Sequence, residues 1–228
     1  MLKPLKFRSN KNKILFCSDF HCNHTPSWSP APFESRGFSS ITEHDDWIRA
    51  AWEKHVDEDT VIFCLGDCVF NDPKGEWMED FCSWKGKTYL VNGNHLSGTK
   101  QIYRKALGLD IQDALTQETY PVSYENITFV GDSLHSWIDG QSVFMTHYAQ
   151  YIWPELGNEG IQVCGHSHST CPALNVGNDS HGKILDIGVD NAIEYNSTPF
   201  FTWEQVRFII GEKKKKVVDH HDGSVAGQ

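Results

Sequence analysis

Five apolar runs in this chain each break off into a polar cluster carrying an acid, an amide or an imidazole, and that repeated pattern limits the folds open to it. Lys13-Ile14-Leu15-Phe16-Cys17 leads through Ser18 into Asp19-Phe20-His21. Thr60 to Leu65 ends at Gly66-Asp67, and Lys87 to Val91 ends at Gly93-Asn94-His95. Gln141 to Met145 runs into Thr146-His147, and Ile161 to Cys164 into Gly165-His166-Ser167-His168. Continuous runs of this length fit strands covered on both faces. In open α/β folds, sites form beyond the carboxyl ends of the strands. Five strand ends pointing the same way would gather these side chains in one place.

Each cluster is weak when taken singly. Asn-Gly-Asn is a common turn composition, Gly-Asp alone is a turn, and a lone His147 is more often structural than a ligand. Together they supply the donors Asp19, His21, Asp67, Asn94, His147, His166 and His168. Residues i and i+2 on extended backbone project to one side, so Asp19 and His21 are expected to reach one centre, as are His166 and His168. Gly66, Gly93 and Gly165 would let the backbone turn sharply or pass close to the site. Imidazole and oxygen donors suit manganese, iron, zinc and nickel. Seven are too many for one tetrahedral zinc and suit two ions sharing a carboxylate.

Bulk properties exclude several classes. The net charge of −10 argues against a strong nucleic-acid-binding surface. It leaves room for a nuclease whose metals carry the positive charge. The seven cysteines form no CxxC pair, which disfavours a structural zinc protein. Met1 to Lys13 lacks an apolar signal core, and no segment approaches membrane-spanning length. These features predict a reducing, cytoplasmic setting with no membrane partner.

Between the runs, Thr42 with Asp45 three residues on is expected to open a helix, and Trp47, Ile48, Ala51, Trp52 and His55 recur at helical spacing. Asp72-Pro73 is expected to start a second helix, with proline at its first position. Thr99 to Leu107 reads as a third, closed by Gly108. Asp139-Gly140 signals a hairpin between Leu134–Ile138 and Gln141–Met145, and Ile184 to Val189 reads as a further strand. No linker divides the chain, so one domain is expected over 1–211, with a polar tail over 212–228. The pattern is that of a layered α/β fold with mixed sheets. The loop from Thr25 to Ser40 is long enough to be functional, or to be an Ω-like loop pinned by its own aromatics. Preceding it, His24 is a candidate phosphate contact, and Trp28 with Phe33 could stack on a nucleobase. An exposed loop histidine and aromatic packing explain these residues equally well.

The order Asp-x-His, Gly-Asp, Gly-Asn-His, His, Gly-His-x-His, from Asp19 to His168, resembles that of the calcineurin-like metallophosphoesterases. Gly188-Val189-Asp190 is similar to the closing strand of small bacterial and phage-type members. The resemblance implies an α/β (α+β) four-layer αββα sandwich, with two mixed β-sheets packed face to face and flanked by helices. It implies two divalent ions, manganese first, with iron, nickel, zinc or magnesium as alternatives. Asp19, His21 and His168 would hold one ion, Asn94, His147 and His166 the other, and Asp67 would bridge. His95 would be the catalytic imidazole.

The implied partner is a phosphate-ester substrate. The expected reaction is phosphodiester hydrolysis on a nucleotide, a cyclic nucleotide or a nucleic-acid end, by a hydroxide held between the ions, with His95 as general acid. Phosphomonoesterase or nucleotide pyrophosphohydrolase activity is the alternative on the same site, because no motif separates them. A non-catalytic scaffold is disfavoured by the retention of every ligand and of His95. There are two departures from the family pattern. Leu96 stands where many members carry an acid, which leaves the partner that orients His95 unidentified. Cys68-Val69-Phe70-Asn71 lacks the Asp-Arg-Gly of the protein Ser/Thr phosphatase branch.

Overall fold

A computed structural model describes residues 4–108, 120–178 and 180–215 of the chain. The apolar runs are strands: β2 Ile14–Cys17, β3 Val61–Cys64, β4 Lys87–Val91, β8 Gln141–Thr146 and β9 Ile161–Cys164. The short strands β1 Leu5–Phe7, β5 Val122–Tyr124, β10 Ile184–Asp186 and β11 Phe201–Thr202 join them, as do β6 Ile127–Gly131 and β7 Ser133–Ile138. The helices are α1 Pro32–Ser35, α2 Ile41–His55, α3 Glu76–Cys82, α4 Ser97–Leu107, α5 Val189–Asn196 and α6 Trp203–Gly211.

Two mixed sheets result, in the orders β11-β2-β3-β4-β6-β5 and β1-β7-β8-β9-β10. In the larger sheet, β2, β3, β4 and β6 are parallel neighbours, so their carboxyl ends share an edge. Strand β9 likewise runs parallel to β8 in the smaller sheet.

Alternation within the buried strands separates two cores. Ile14, Phe16, Val61, Phe63 and Val91 face Leu134, Val143, Met145, Val163 and Leu185 between the sheets, where Trp203 and Val206 of α6 join them. Leu15, Cys17, Ile62, Cys64 and Leu90 point the other way and pack under α2, α3 and α4 through Ile48, Trp52, Met78, Phe81 and Ile102. The outer face of the five-stranded sheet is covered more thinly, by Trp153, Leu156 and Leu174. These residues come from connecting segments that include the 3₁₀ turns Leu156–Asn158 and Pro172–Leu174. The αββα plan is therefore asymmetric, with full helices on one side and short turns on the other. No helix among the described residues is long and apolar enough to cross a membrane.

Several element boundaries differ from the sequence reading. The N-cap of α2 is Ser40, whose hydroxyl accepts from the Glu43 amide at 3.1 Å. Asp45 caps nothing there, because its carboxylate accepts from the Asn23 amide at 2.9 Å and bonds the His44 ring. Asp72-Pro73 does not open α3, which starts three residues later behind a left-handed Gly75. Asp72 instead folds back to accept from the Met78 amide at 2.8 Å. Strand β10 stops at Asp186, whose carboxylate accepts from the Gly188 amide at 2.7 Å, and Val189-Asp190 forms the first turn of α5 instead of a closing strand. The tail is not wholly solvated: Lys213 is buried and donates to the Asn175 and Asn178 carbonyls. His220, His221 and the rest of 216–228 lie outside the described residues.

Candidate metal centre

The parallel strands deliver their carboxyl-terminal loops to one edge, and the backbone stitches the loops together beyond the strand ends. The Asp19 amide donates to the Gly66 carbonyl at 3.1 Å, and the His21 amide to the Asp67 carbonyl at 2.9 Å. The Gly165 amide donates to the His147 carbonyl at 3.0 Å. This zipping continues the strand register and sets Asp19 and His21 beside Asp67.

The side chains converge by a different route from the expected one. Asp19, His21, Asp67, His166 and His168 have φ of 61°, 53°, 51°, 68° and 47°, so none sits on extended backbone. The i and i+2 ligands meet through left-handed kinks, each costing about 1–3 kcal/mol in a non-glycine residue. Such strain persists where the surrounding structure over-determines it. Here the close approach of two glycines contributes. A Cβ on Gly93 would stand 1.9 Å from Asp67 Oδ1, and one on Gly165 would stand 2.4 Å from Asp19 Oδ2. Without those side chains, Asp67 Oδ1 accepts from the His95 amide and Asp19 Oδ2 from the His166 amide, both at 2.9 Å.

Each carboxylate thus spends one oxygen on a backbone amide and keeps the other for the centre. Asp19 Oδ1 lies 3.9 Å from both His21 Nε2 and His168 Nε2. Asp67 Oδ2 lies 3.8 Å from His21 Nε2, 3.3 Å from His147 Nε2 and 3.9 Å from His95 Nε2. Asn94 Oδ1 is 2.8 Å from His147 Nε2 and 3.0 Å from His166 Nδ1. The seven donors anticipated from the sequence therefore stand in two adjoining sets joined by Asp67. His95 adjoins them, and its ring nitrogen also falls within metal-ligand range of His21 and Asp67.

The donor chemistry fits cations. Asp19 Oδ1 and both ring nitrogens of His21 are buried with no hydrogen-bond partner among the described residues. The Leu65 carbonyl, 2.7 Å from His147 Nδ1, can only accept. It therefore fixes the proton on Nδ1 and leaves Nε2 facing the oxygens of Asn94 and Asp67. Those two oxygens can only accept, so a positive charge is called for between them, which a proton on Nε2 supplies without metal and a cation held by the Nε2 lone pair would supply with it. The electrostatics agree. Burial lifts the Asp19 carboxyl to about 6 against the pull of His147 and His168. Burial also lifts Asp67, but the His147 hydrogen bond and charge outweigh it and bring the carboxyl down to about 2. Burial, then the charge of His168, lowers His21 to about 2. Burial disfavours His147 imidazolium too, yet the Asp67 hydrogen bond and the charge of Asp19 raise its pKa.

Two charged residues absent from the sequence reading of the site brace it. Asp190 Oδ2 lies 2.8 Å from His168 Nδ1, which turns Nε2 toward Asp19. Arg36, whose side chain is 1% exposed, holds both Asp190 oxygens at 2.9 Å and donates to the carbonyls of Asp19 at 2.7 Å and Phe20 at 2.8 Å. Burial favours a neutral Asp190, but His168 and Arg36 override it and hold the carboxyl well below the usual range. Arg36 carries no local sequence signal, being one arginine in a loop. Asp190 was visible only as part of an expected strand.

The Leu96 departure has a structural answer. Among the described residues no carboxylate hydrogen-bonds the His95 ring, and Leu96 caps the N-terminus of α4. The ring packs edge-on against Phe70 at 4.4 Å and against His21 at 5.3 Å. His24 is buried in a face-to-face stack on Phe70 at 3.6 Å, and Trp28 stands edge-on to it at 6.0 Å. Neither His24 nor Trp28 belongs to the clusters of potential metal-ligating groups.

No curated protein matches the chain in sequence. The crystal structure of a protein of unknown function, AQ665 from Aquifex aeolicus, is similar in fold alone, with a TM-score of 0.50 and 16% identity over 86% of this chain and 98% of that one. Residues 12–187 match the family model described as calcineurin-like phosphoesterase, a span that runs from β2 past β10 and holds every donor named above. The chain therefore belongs to the calcineurin-like phosphoesterase family, and its clustered aspartates and histidines make it a metal-dependent phosphoester hydrolase.

Proposed function

We propose that the protein is a dinuclear phosphodiesterase with His95 as its general acid. The observation that carries this reading is the place of Asp67, whose Oδ2 reaches toward His21 on one side and His147 on the other. Asp19, His21 and His168 would hold one ion, and Asn94, His147 and His166 the other, with Asp67 shared. When bound, two such ions supply an activated water and neutralise charge on the phosphoryl oxygens. Manganese is the first candidate, as the family resemblance implies, with iron, nickel, zinc and magnesium as alternatives for this mixed imidazole and oxygen set. His95, with its side chain 37% exposed, stands at the mouth and gives its proton to the departing oxygen. Phe70 limits the tilt of its ring where other chains use an acid.

The preference for a diester rests on charge. Among the described residues Arg36 is the arginine that acts on these groups, and its guanidinium is already committed to Asp190 and to two backbone carbonyls. A monoester dianion gains from a further cation beyond the metals, whereas a diester monoanion does not need one. The free state of all seven cysteines supports a reducing, cytoplasmic setting.

The test is to deplete the protein of metal and assay it with manganese, iron, nickel, zinc and magnesium against a synthetic diester, a monoester and a nucleotide panel. Diester turnover, greatest with manganese, is expected. A monoester preference overturns the diester assignment, and no turnover with any ion favours a non-catalytic scaffold.

A further inference from the structure

Aromatic rings that metal binding does not require wall the mouth of the site. On the His95 side, Phe70 is stacked on His24, and Trp28 stands beyond them, 58% exposed. On the other side, Tyr148, 52% exposed, packs on His166 at 4.4 Å and on His147 at 5.1 Å. The segment carrying Trp28 is held in place. Arg36, eight residues on, is locked to Asp190 and to the carbonyls of Asp19 and Phe20. The Ala31 amide donates to Glu34 Oε2 at 2.5 Å, which closes the turn between them. Within the shelf, His24 is 6% exposed and its Nδ1 has no hydrogen-bond partner among the described residues. Leaving a buried polar atom unpaired costs about 1–3 kcal/mol, a cost that a bound ligand can relieve.

We infer that Phe70, His24 and Trp28 form a leaving-group subsite that takes a nucleoside, with its base stacked on this shelf. The inference rests on the diesterase reading with His95 as proton donor. In the hydrolysis, a water oxygen joins phosphorus, the bond from phosphorus to the leaving oxygen breaks, and that oxygen takes the proton from His95. The departing alcohol therefore lies on the His95 side, against Phe70, and the retained arm faces Tyr148. An exposed indole beside the half-buried Phe70 ring, with His24 packed behind it, suits a flat base better than a sugar, which needs several polar partners. The prior commitment of Arg36 and the net charge of −10 disfavour further phosphates or a long strand. The occupant is thus a single nucleoside on a monoanionic diester.

The experiment compares kcat/KM of the manganese-loaded protein for a dinucleoside monophosphate and for the same diester with an abasic leaving nucleoside, so that the leaving alcohol keeps its acidity. The intact substrate is expected to be favoured by about tenfold, in line with stacking on one aromatic platform. Trp28→Ala and Phe70→Leu should each bring that ratio toward one, while Tyr148→Ala should preserve it. A ratio near one in the unaltered protein, or a ratio that collapses in Tyr148→Ala and not in Trp28→Ala, overturns the assignment. Calorimetric binding of adenosine 5′-monophosphate against ribose 5-phosphate separates the two layers of the argument. Absence of turnover with a base-dependent affinity that Trp28→Ala removes would end the diesterase reading and leave a nucleoside-binding shelf without its leaving-group role. Equal affinity for the two probes would end the shelf itself.

Discussion

The two halves of the site proposed to hold ions are built by different means. The half around Asp19, His21 and His168 is deep at Asp19 and His21, 0% and 4% exposed, reaches the surface at His168, and is braced by the Arg36–Asp190 ion pair. The half around Asn94, His147 and His166 is buried at His147 but opens to solvent at Asn94 and His166, and among the described residues the His147 ring is braced by a neutral carbonyl, that of Leu65. A charged brace fixes ligand geometry before an ion arrives, whereas an open, lightly braced set can adjust to substrate. If the proposed assignment holds, the difference predicts one tightly held ion and one that exchanges more readily.

The sharpest way to break this picture is at the shared carboxylate. Asp67→Ala is expected to abolish turnover and to lower the metal content of both halves, read by elemental analysis. Full occupancy of both would remove Asp67 from the bridge. Next in size, His95→Ala should lower kcat by about 10²–10⁴-fold while keeping the metal content intact. Because His95 lies within ligand range of His21 and Asp67, loss of an ion in that variant would make it a ligand instead.

A smaller effect separates the halves directly. Asp190→Asn should weaken the tighter ion by about 10–100-fold and leave the other unchanged, measured by competition with a calibrated chelator. Equal weakening of both would show that the brace is not local to His168. The smallest effect is a pH dependence in metal-free protein. The Asp190 carboxyl is depressed in the folded state, so its stabilisation is complete above the ordinary carboxylate pKa of about 4 and is lost as pH falls through the depressed value. The thermal-stability gap between the unaltered protein and Asp190→Asn should therefore narrow below about pH 4, and, because Asp190 also raises the His168 imidazole in the folded state, narrow again as pH rises through that raised value. A gap that widens as pH falls below that carboxylate range would contradict the sign.

The strands were legible because burial on both faces demands continuous apolar residues, and a sheet edge where they stop demands polar ones. Lys87 to Val91 and Ile161 to Cys164 appear with their expected limits. Helix starts were less legible, since a capping residue can be claimed by a distant partner. Asp45 goes to Asn23 and Asp72 to Met78, and neither competition shows in a local pattern. The backbone at the ligands also escaped the sequence reading. Left-handed Asp19 and His168 have no local signature, because the conformation is imposed by loops packing against each other.

By itself, the sequence determined the layered sheets, the candidate donors and the family membership, because each is written in residue type and short-range order. The tertiary structure alone decided what surrounds and braces the donors. It joined Arg36 to Asp190 across 154 positions, turned Val189-Asp190 into a helix start facing His168, and set Phe70 against His95 in place of an acid at Leu96. These are contacts between segments far apart in the chain. Their energy comes from burying charge and ring surface together, which no single segment encodes.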